Sequence, residues 1–159
     1  MLEHFRKALF GSVVAALLAG CDARVQPGEF SKALGELVNT SRVTAVDLAA
    51  VPATPWDEMY ALGPYSTRKQ NCAALRLGRL ACWYVIPATV GEGEYFLVFR
   101  SKGAITHTEH HWRSNGDFSS PSQVPSPILR SNAKFAVKLA SNRAPAGQAW
   151  YQLEHEAKP

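Results

Sequence analysis

The chain has 159 residues, with 17 lysines and arginines against 13 aspartates and glutamates, which gives a formal net charge of +4. The cationic residues are scattered and form no run typical of a nucleic-acid-binding patch, so no nucleic-acid partner is expected. Four tryptophans, five tyrosines and seven phenylalanines favour a packed fold over a disordered stalk. No internal repeat is visible, which argues against a solenoid or propeller.

The start of the chain has the three parts of an export signal. Arg6 and Lys7 form a positive segment, residues 8–18 are apolar, and the small residues Ala19 and Gly20 follow. The apolar segment is too short to span a bilayer, because a spanning helix needs roughly 20 apolar residues. The sequence therefore predicts a signal peptide over residues 1–20.

The segment Leu18-Ala19-Gly20-Cys21 resembles the lipobox of bacterial lipoproteins. In that family the small residues admit the signal peptidase, and the cysteine thiol receives diacylglycerol. The resemblance covers residues 1–22 and implies a lipid anchor on Cys21, followed by a tether over residues 21–28. Two or more acyl chains hold a protein stably on a membrane, so the chain is expected to be tethered to the bilayer without spanning it. The alternative is an ordinary secretory signal with a chance cysteine.

Asp22 bears on which membrane holds the anchor. In lipoproteins of enteric-type Gram-negative bacteria, an aspartate after the lipidated cysteine resembles the signal that avoids sorting to the outer membrane. Asp22 thus favours the inner membrane, with the domain on the periplasmic side. The alternative is an incidental acidic residue in a flexible tether.

The first half of the domain predicted over residues 29–159 contains two helical signals. An apolar stripe at helical spacing predicts a helix over residues 29–39, and Thr67-Arg68-Lys69-Gln70 fits a capping box that begins a helix over residues 67–77. Stretches rich in β-forming residues predict strands at 43–48, 56–62 and 80–86.

The second half is predicted to be β-structure. Residues 94–100 and 104–113 flank a three-residue loop that ends in glycine, which predicts a hairpin. A polar, proline-rich loop is expected over residues 114–127, and a last pair of strands at 135–139 and 149–153. Together these elements predict a single small α+β domain, with an antiparallel sheet of about five strands and two helices packed on one face.

Cys72 and Cys82 are the two cysteines that remain once Cys21 is lipidated. Export places them in an oxidising compartment, so we expect a structural disulfide that joins the second helix to the strand after it. Two buried free thiols are the alternative.

His107, Glu109 and His111 would share one face of a strand, because side chains alternate with a period of two. Two imidazoles and a carboxylate could ligate zinc, so this face is the candidate metal site. No further ligand is indicated, and the alternative is the solvent-exposed face of a hairpin.

Arg68 and Lys69 lie in the first turn of the second predicted helix. Together with the free amides of a helix start, these cations could receive a carboxylate or phosphate. The alternative is two solvated side chains.

The segments Trp56-Asp57-Glu58-Met59-Tyr60 and Gly63-Pro64-Tyr65-Ser66 resemble a pattern in small bacterial lipoproteins of uncharacterised function. The likeness extends to Gly116-Asp117-Phe118 and implies no catalytic residue. The residues themselves nominate Trp56 and Tyr60 for the core, and Asp57 for a local cap or pair.

The sequence contains no nucleophile motif or glycine-rich phosphate loop. We therefore expect a membrane-anchored, non-enzymatic binding or accessory module of the cell envelope, with the covalent lipid on Cys21, no other cofactor, and an envelope protein as partner. The alternative is a metal-binding protein or metal-dependent enzyme that uses His107, Glu109 and His111.

Overall fold

The computed structural model describes residues 25–40, 43–118, 126–140 and 149–156. Its helices are α1 (Glu29–Thr40), α2 (Arg68–Ala74) and α3 (Arg79–Val85). Its strands are β1 (Ala45–Asp47), β2 (Glu58–Leu62), β3 (Glu94–Ser101), β4 (Ala104–Trp112), β5 (Ile128–Leu129), β6 (Lys134–Leu139) and β7 (Tyr151–His155). The predicted signal peptide, Cys21 and Asp22 lie outside the described residues, as does the middle of the predicted loop over 114–127.

The strands form two antiparallel sheets. One has three strands in the order β1-β6-β7, and the other has four in the order β4-β3-β2-β5. The predicted α+β class is confirmed, whereas the prediction of one sheet of about five strands is wrong. Pairing partners far apart in sequence, such as Val46 with Phe135, decide which sheet a strand joins. No local pattern in the sequence carries that information.

The two sheets share one core with helix α1. Phe30, Leu34 and Val38 follow the predicted helical spacing and are fully buried. The ring of Phe30 meets that of Phe99 from β3 edge-on, with centroids 5.2 Å apart. Side chains from both sheets complete this cluster, and they include Val46, Met59, Leu97, Ile128, Phe135 and Leu153.

Strand β3 is buried on both faces. Tyr95, Leu97 and Phe99 point into the core shared with α1, whereas Phe96 and Val98 point into a second cluster that contains residues of α2 and α3. The prediction that two helices pack on one face is therefore wrong, because α1 and the α2–α3 pair cover opposite faces of the four-stranded sheet. The continuous apolar run of β3 reflects this double coverage, because apolar and polar residues alternate along a strand only when one of its faces is exposed to solvent.

Residues 80–85 lie in helix α3 and Ile86 follows its end, so the strand predicted over 80–86 is wrong. Cys82 and Val85 face the second cluster, in which Ile86 is buried just beyond the helix end. This spacing of three and four residues is helical, but it spans too few residues to outweigh the β-forming composition. Packing of this short buried face, and not propensity, decides the conformation.

The central hairpin is confirmed, with a shorter turn than expected. Ser101 ends β3 and Ala104 begins β4, and only Lys102 and Gly103 connect them. Both have positive φ, 49° and 79°, as two-residue turns that match the strand twist require. The carboxylate of Asp57 accepts the amide of Lys102 at 2.7 Å, so this aspartate bonds to a turn 45 residues away and not to the local partner that was predicted.

Cys72 and Cys82 form the predicted disulfide, with their Cα atoms 5.5 Å apart. The bond joins α2 to α3 and not to a strand. The predicted capping box at the start of α2 is present, because Thr67 and Gln70 exchange side-chain and backbone hydrogen bonds. Two short helices, each of 7 residues, are thus held together covalently.

Removal of this disulfide in the double variant Cys72→Ala/Cys82→Ala should lower the free energy of unfolding by about 3 kcal/mol. The effect is no larger because the stabilisation grows with the length of the closed loop, and this loop is short. Urea denaturation of the variant and of the oxidised wild type measures the difference. Reduced wild type is the control and should match the variant. An unchanged midpoint would show that packing alone holds α2 and α3 together.

Candidate functional site

The side chains of His107, Glu109 and His111 share one face of β4, as predicted. On this face Glu109 is buried under the start of α1 and His111 is buried too, whereas the His107 side chain is 38% exposed. The Glu109 carboxylate accepts the backbone amides of Ser31 at 2.8 Å and Phe30 at 3.3 Å. These are amides that a helix start cannot bond internally, and a negative charge there also interacts favourably with the helix dipole. Glu109 thus caps α1 from another element.

The close approach of α1 to β4 requires a glycine. The amide of Gly28 donates to the carbonyl of His110 at 3.0 Å. A Cβ atom at Gly28 would lie 2.3 Å from the Glu109 carboxylate, which is a clash. Because Gly28 has no side chain, the start of α1 can pack directly against β4.

His107 Nε2 lies 3.0 Å from the Glu109 carboxylate, at the edge of a cleft of about 290 Å³ that Pro52, Ala53 and Thr54 also line. Within the described ranges, no group of three or more His, Cys, Asp or Glu side chains is arranged to hold a metal ion. Glu109 is committed to backbone amides, and His111 bonds elsewhere. The geometry gives the predicted metal site no support.

Glu109→Ala should destabilise the fold by about 2–4 kcal/mol, because it leaves two amides of α1 without a partner. Glu109→Gln keeps one acceptor oxygen and should cost less. Urea denaturation measures both variants against the wild type.

A zinc titration separates this capping role from a metal site. Saturating zinc should leave the melting temperature of the wild type unchanged. A zinc-dependent rise that disappears in His107→Ala would instead establish metal binding on this face.

His111 is fully buried, and its Nε2 lies 2.7 Å from the carbonyl oxygen of Gly116. Because a carbonyl only accepts, Nε2 carries the proton. Nδ1 is buried without a partner, so a second proton would create an unbonded charge there. Burial lowers the pKa of His111 from 6.5 to about 4, although the Gly116 bond and the charge of Asp117 act in the opposite direction.

This burial predicts that acid destabilises the protein between pH 6.5 and about 4. In this interval the unfolded state binds a proton at His111 and the folded state does not, so stability falls as the pH falls, by about 3 kcal/mol in all. Below pH 4 the folded state also binds the proton and this loss levels off. The free energy of unfolding, measured by denaturation at several pH values across the interval, should fall less steeply with decreasing pH for His111→Gln than for the wild type. Equal slopes would contradict the assignment of this pH dependence to His111.

Asp117 is the most highly coordinated buried carboxylate of the described part of the chain. Arg113 donates to its two oxygens at 3.0 and 2.9 Å, Tyr95 donates at 3.1 Å and the indole of Trp150 at 2.9 Å. Burial, together with the negative charge of Asp117, raises the pKa of the Tyr95 hydroxyl. Each oxygen already accepts two donors, so the group is suited to holding elements together and not to acid–base chemistry.

Arg68 and Lys69, the predicted anion site, lie in the first turn of α2 as expected. Arg68 is committed elsewhere, because its Nε donates to the carbonyl of Ile86 at 2.7 Å and its guanidinium lies 4.5 Å from the ring centre of Trp83. The amides of Arg68 and Gln70 are also bonded within the protein. The first turn therefore offers no set of free donors, and Lys69 is solvated.

Helix α3 presents an apolar stripe to solvent. Leu80 is 75% exposed, Trp83 67% and Tyr84 83%. Their spacing of three and four residues places them on one helix face, opposite Cys82 and Val85. Large apolar side chains clustered in this way are unusual on a surface that has no partner, so this stripe is the candidate binding surface.

The same region carries a one-sided charge. Residues 59–91 contain four cationic side chains and no aspartate or glutamate. The cations are Arg68, Lys69, Arg76 and Arg79. We call the exposed stripe and these cations together the α2–α3 surface. Arg68 lies at the end of α3 through its bond to Ile86, and Arg79 is the first residue of that helix, so positive charge flanks the stripe at both ends.

This surface was not predicted from the sequence, because the β-forming composition of residues 80–86 favoured a strand. The helical spacing of Leu80, Trp83 and Tyr84 and the absence of acidic residues over 59–91 were both readable from the sequence. A scan against protein-family models and searches of curated proteins and of solved structures found no match.

Proposed function

We propose that the chain is an exported lipoprotein of the cell envelope that acts as a non-enzymatic binding module through its α2–α3 surface. We assign the binding role to the exposed stripe of Leu80, Trp83 and Tyr84. The free energy falls when a partner covers an apolar face of this kind and removes it from water. The stripe lies on α3, which the disulfide joins to α2, so little conformational entropy is lost on binding.

The resemblance to a lipobox at Leu18-Ala19-Gly20-Cys21 supports the exported, anchored state. The disulfide between Cys72 and Cys82 agrees with it, because such bonds persist in oxidising compartments. Among the described residues, no helix is long and apolar enough to cross a bilayer. In this proposal the diacylglyceryl group on Cys21 is the anchor, and Asp22 favours the inner membrane with the domain in the periplasm.

Intact-mass spectrometry of the protein purified from bacterial membranes tests the anchored state. The mature chain should begin at Cys21, carry the mass of the attached acyl chains, and lack two hydrogens for the disulfide. The Cys21→Ser variant is the control and should lack the acyl mass. An unmodified full-length chain in the cytosol would contradict both export and lipidation.

A further inference from the structure

We propose that the α2–α3 surface docks onto the headgroup region of a bilayer that contains anionic lipid, as a second and non-covalent membrane contact. This inference rests on the proposed function and names the partner of the same surface. The exposed stripe would lie at the boundary between headgroups and acyl chains, and the flanking cations would lie among the lipid phosphates.

The composition of the stripe fits a membrane interface. Tryptophan and tyrosine concentrate at that boundary, because their rings combine an apolar body with a polar tip. Leu80 adds a purely apolar contact on the same helix face as Trp83 and Tyr84. Helices that lie in the interface pair such an apolar face with basic residues, and α3 has Arg79 at its start and Arg68 at its end.

The charge distribution favours a lipid surface over a protein. The side chains of Lys69, Arg76 and Arg79 are exposed and make no hydrogen bond or ion pair within the described part of the chain. Lys69 lies in the first turn of α2 and Arg79 at the start of α3, whereas Arg76 lines a cleft that Glu58 also lines. An anionic bilayer offers negative charge over an extended plane, which attracts every cation of such a surface at once.

The predicted anchor would keep the whole domain close to lipid. Val25, the first described residue, is four positions after Cys21. Four extended residues span at most roughly 14 Å, which is less than the diameter of a small domain of about 30 Å. A thioether at Cys21 would therefore keep the domain at the bilayer, where even a weak contact forms readily because its effective concentration is high.

Quenching of tryptophan fluorescence by brominated lipid tests the contact in the lipidated, full mature protein. The protein is reconstituted into vesicles of phosphatidylcholine alone, or of equal parts phosphatidylcholine and phosphatidylglycerol. Quenching should be strong only with phosphatidylglycerol, and Trp83→Phe should abolish most of it. Trp112→Phe, which alters a tryptophan outside the α2–α3 surface, is the matched control and should retain it.

A charge variant tests the electrostatic part separately. Each cation near an anionic surface strengthens binding about fivefold, so Lys69→Gln/Arg79→Gln should lower the ratio of docked to undocked protein roughly 25-fold. Lys32→Gln/Lys134→Gln removes the same charge from exposed lysines elsewhere and should have little effect. Added salt should weaken docking of the wild type, because it screens exposed charges.

Other results would overturn the proposal. Unquenched Trp83, equal quenching in the two vesicle types, or equal effects of the two charge variants would each exclude docking on anionic lipid. Cross-linking of an envelope protein to the α2–α3 surface with Trp83 unquenched would identify a protein partner instead. If mass spectrometry shows no lipid on Cys21, the same chain is added to preformed vesicles, so failure of the anchor and failure of docking are read independently.

Discussion

The buried carboxylate of Asp117 is the interaction on which the arrangement of the two sheets depends. It accepts Tyr95 from β3 of one sheet, Arg113 just after β4, and Trp150 just before β7 of the other sheet. Its own backbone also bonds to β7, through Tyr151 and Leu153. A buried charge is costly unless it is fully paired, so all these elements must be in place together. Asp117 thereby selects one relative placement of the sheets.

Helix α1 is seated by a second buried carboxylate. Glu109 accepts amides at the start of the helix, and Gly28 allows the backbone to approach closely enough for this bond. The apolar stripe that begins at Phe30 then fills the core between the sheets. In the pattern that resembled a metal site, the carboxylate of Glu109 thus serves as a helix cap, because it accepts backbone amides of α1.

The α2–α3 surface has the opposite character, because it exposes what the rest of the fold buries. The disulfide and the second apolar cluster fix two helices that are too short to be stable alone. The inward face of the two helices packs against the second apolar cluster, whereas Leu80, Trp83 and Tyr84 remain exposed to solvent. Fold and proposed function meet here, since a rigid platform displays an apolar stripe and positive charge, the two features that the proposed docking on anionic lipid would use.

The sequence alone determined the elements whose pattern is local and long. The apolar stripe of α1, the hairpin of β3 and β4 and the capping box at Thr67 follow from spacing and turn chemistry. The pairing of Cys72 with Cys82 was expected because they are the two cysteines left besides Cys21 in a chain predicted to be exported. The stripe on α3 could also have been found from its spacing and from the acid-free stretch over residues 59–91. The short length of that helix, set against its β-forming composition, concealed it.

Only the tertiary structure decided what depends on partners distant in the chain. It divided the strands into two sheets, placed the helices on opposite faces, and turned Glu109 from a metal-ligand candidate into a helix cap. It also brought Tyr95, Arg113 and Trp150 to Asp117. The physical reason is common to all of these features. Pairing of strands and coordination of buried charges are settled by the free energy of the whole core, whereas periodicity reports only which face of a single element is apolar.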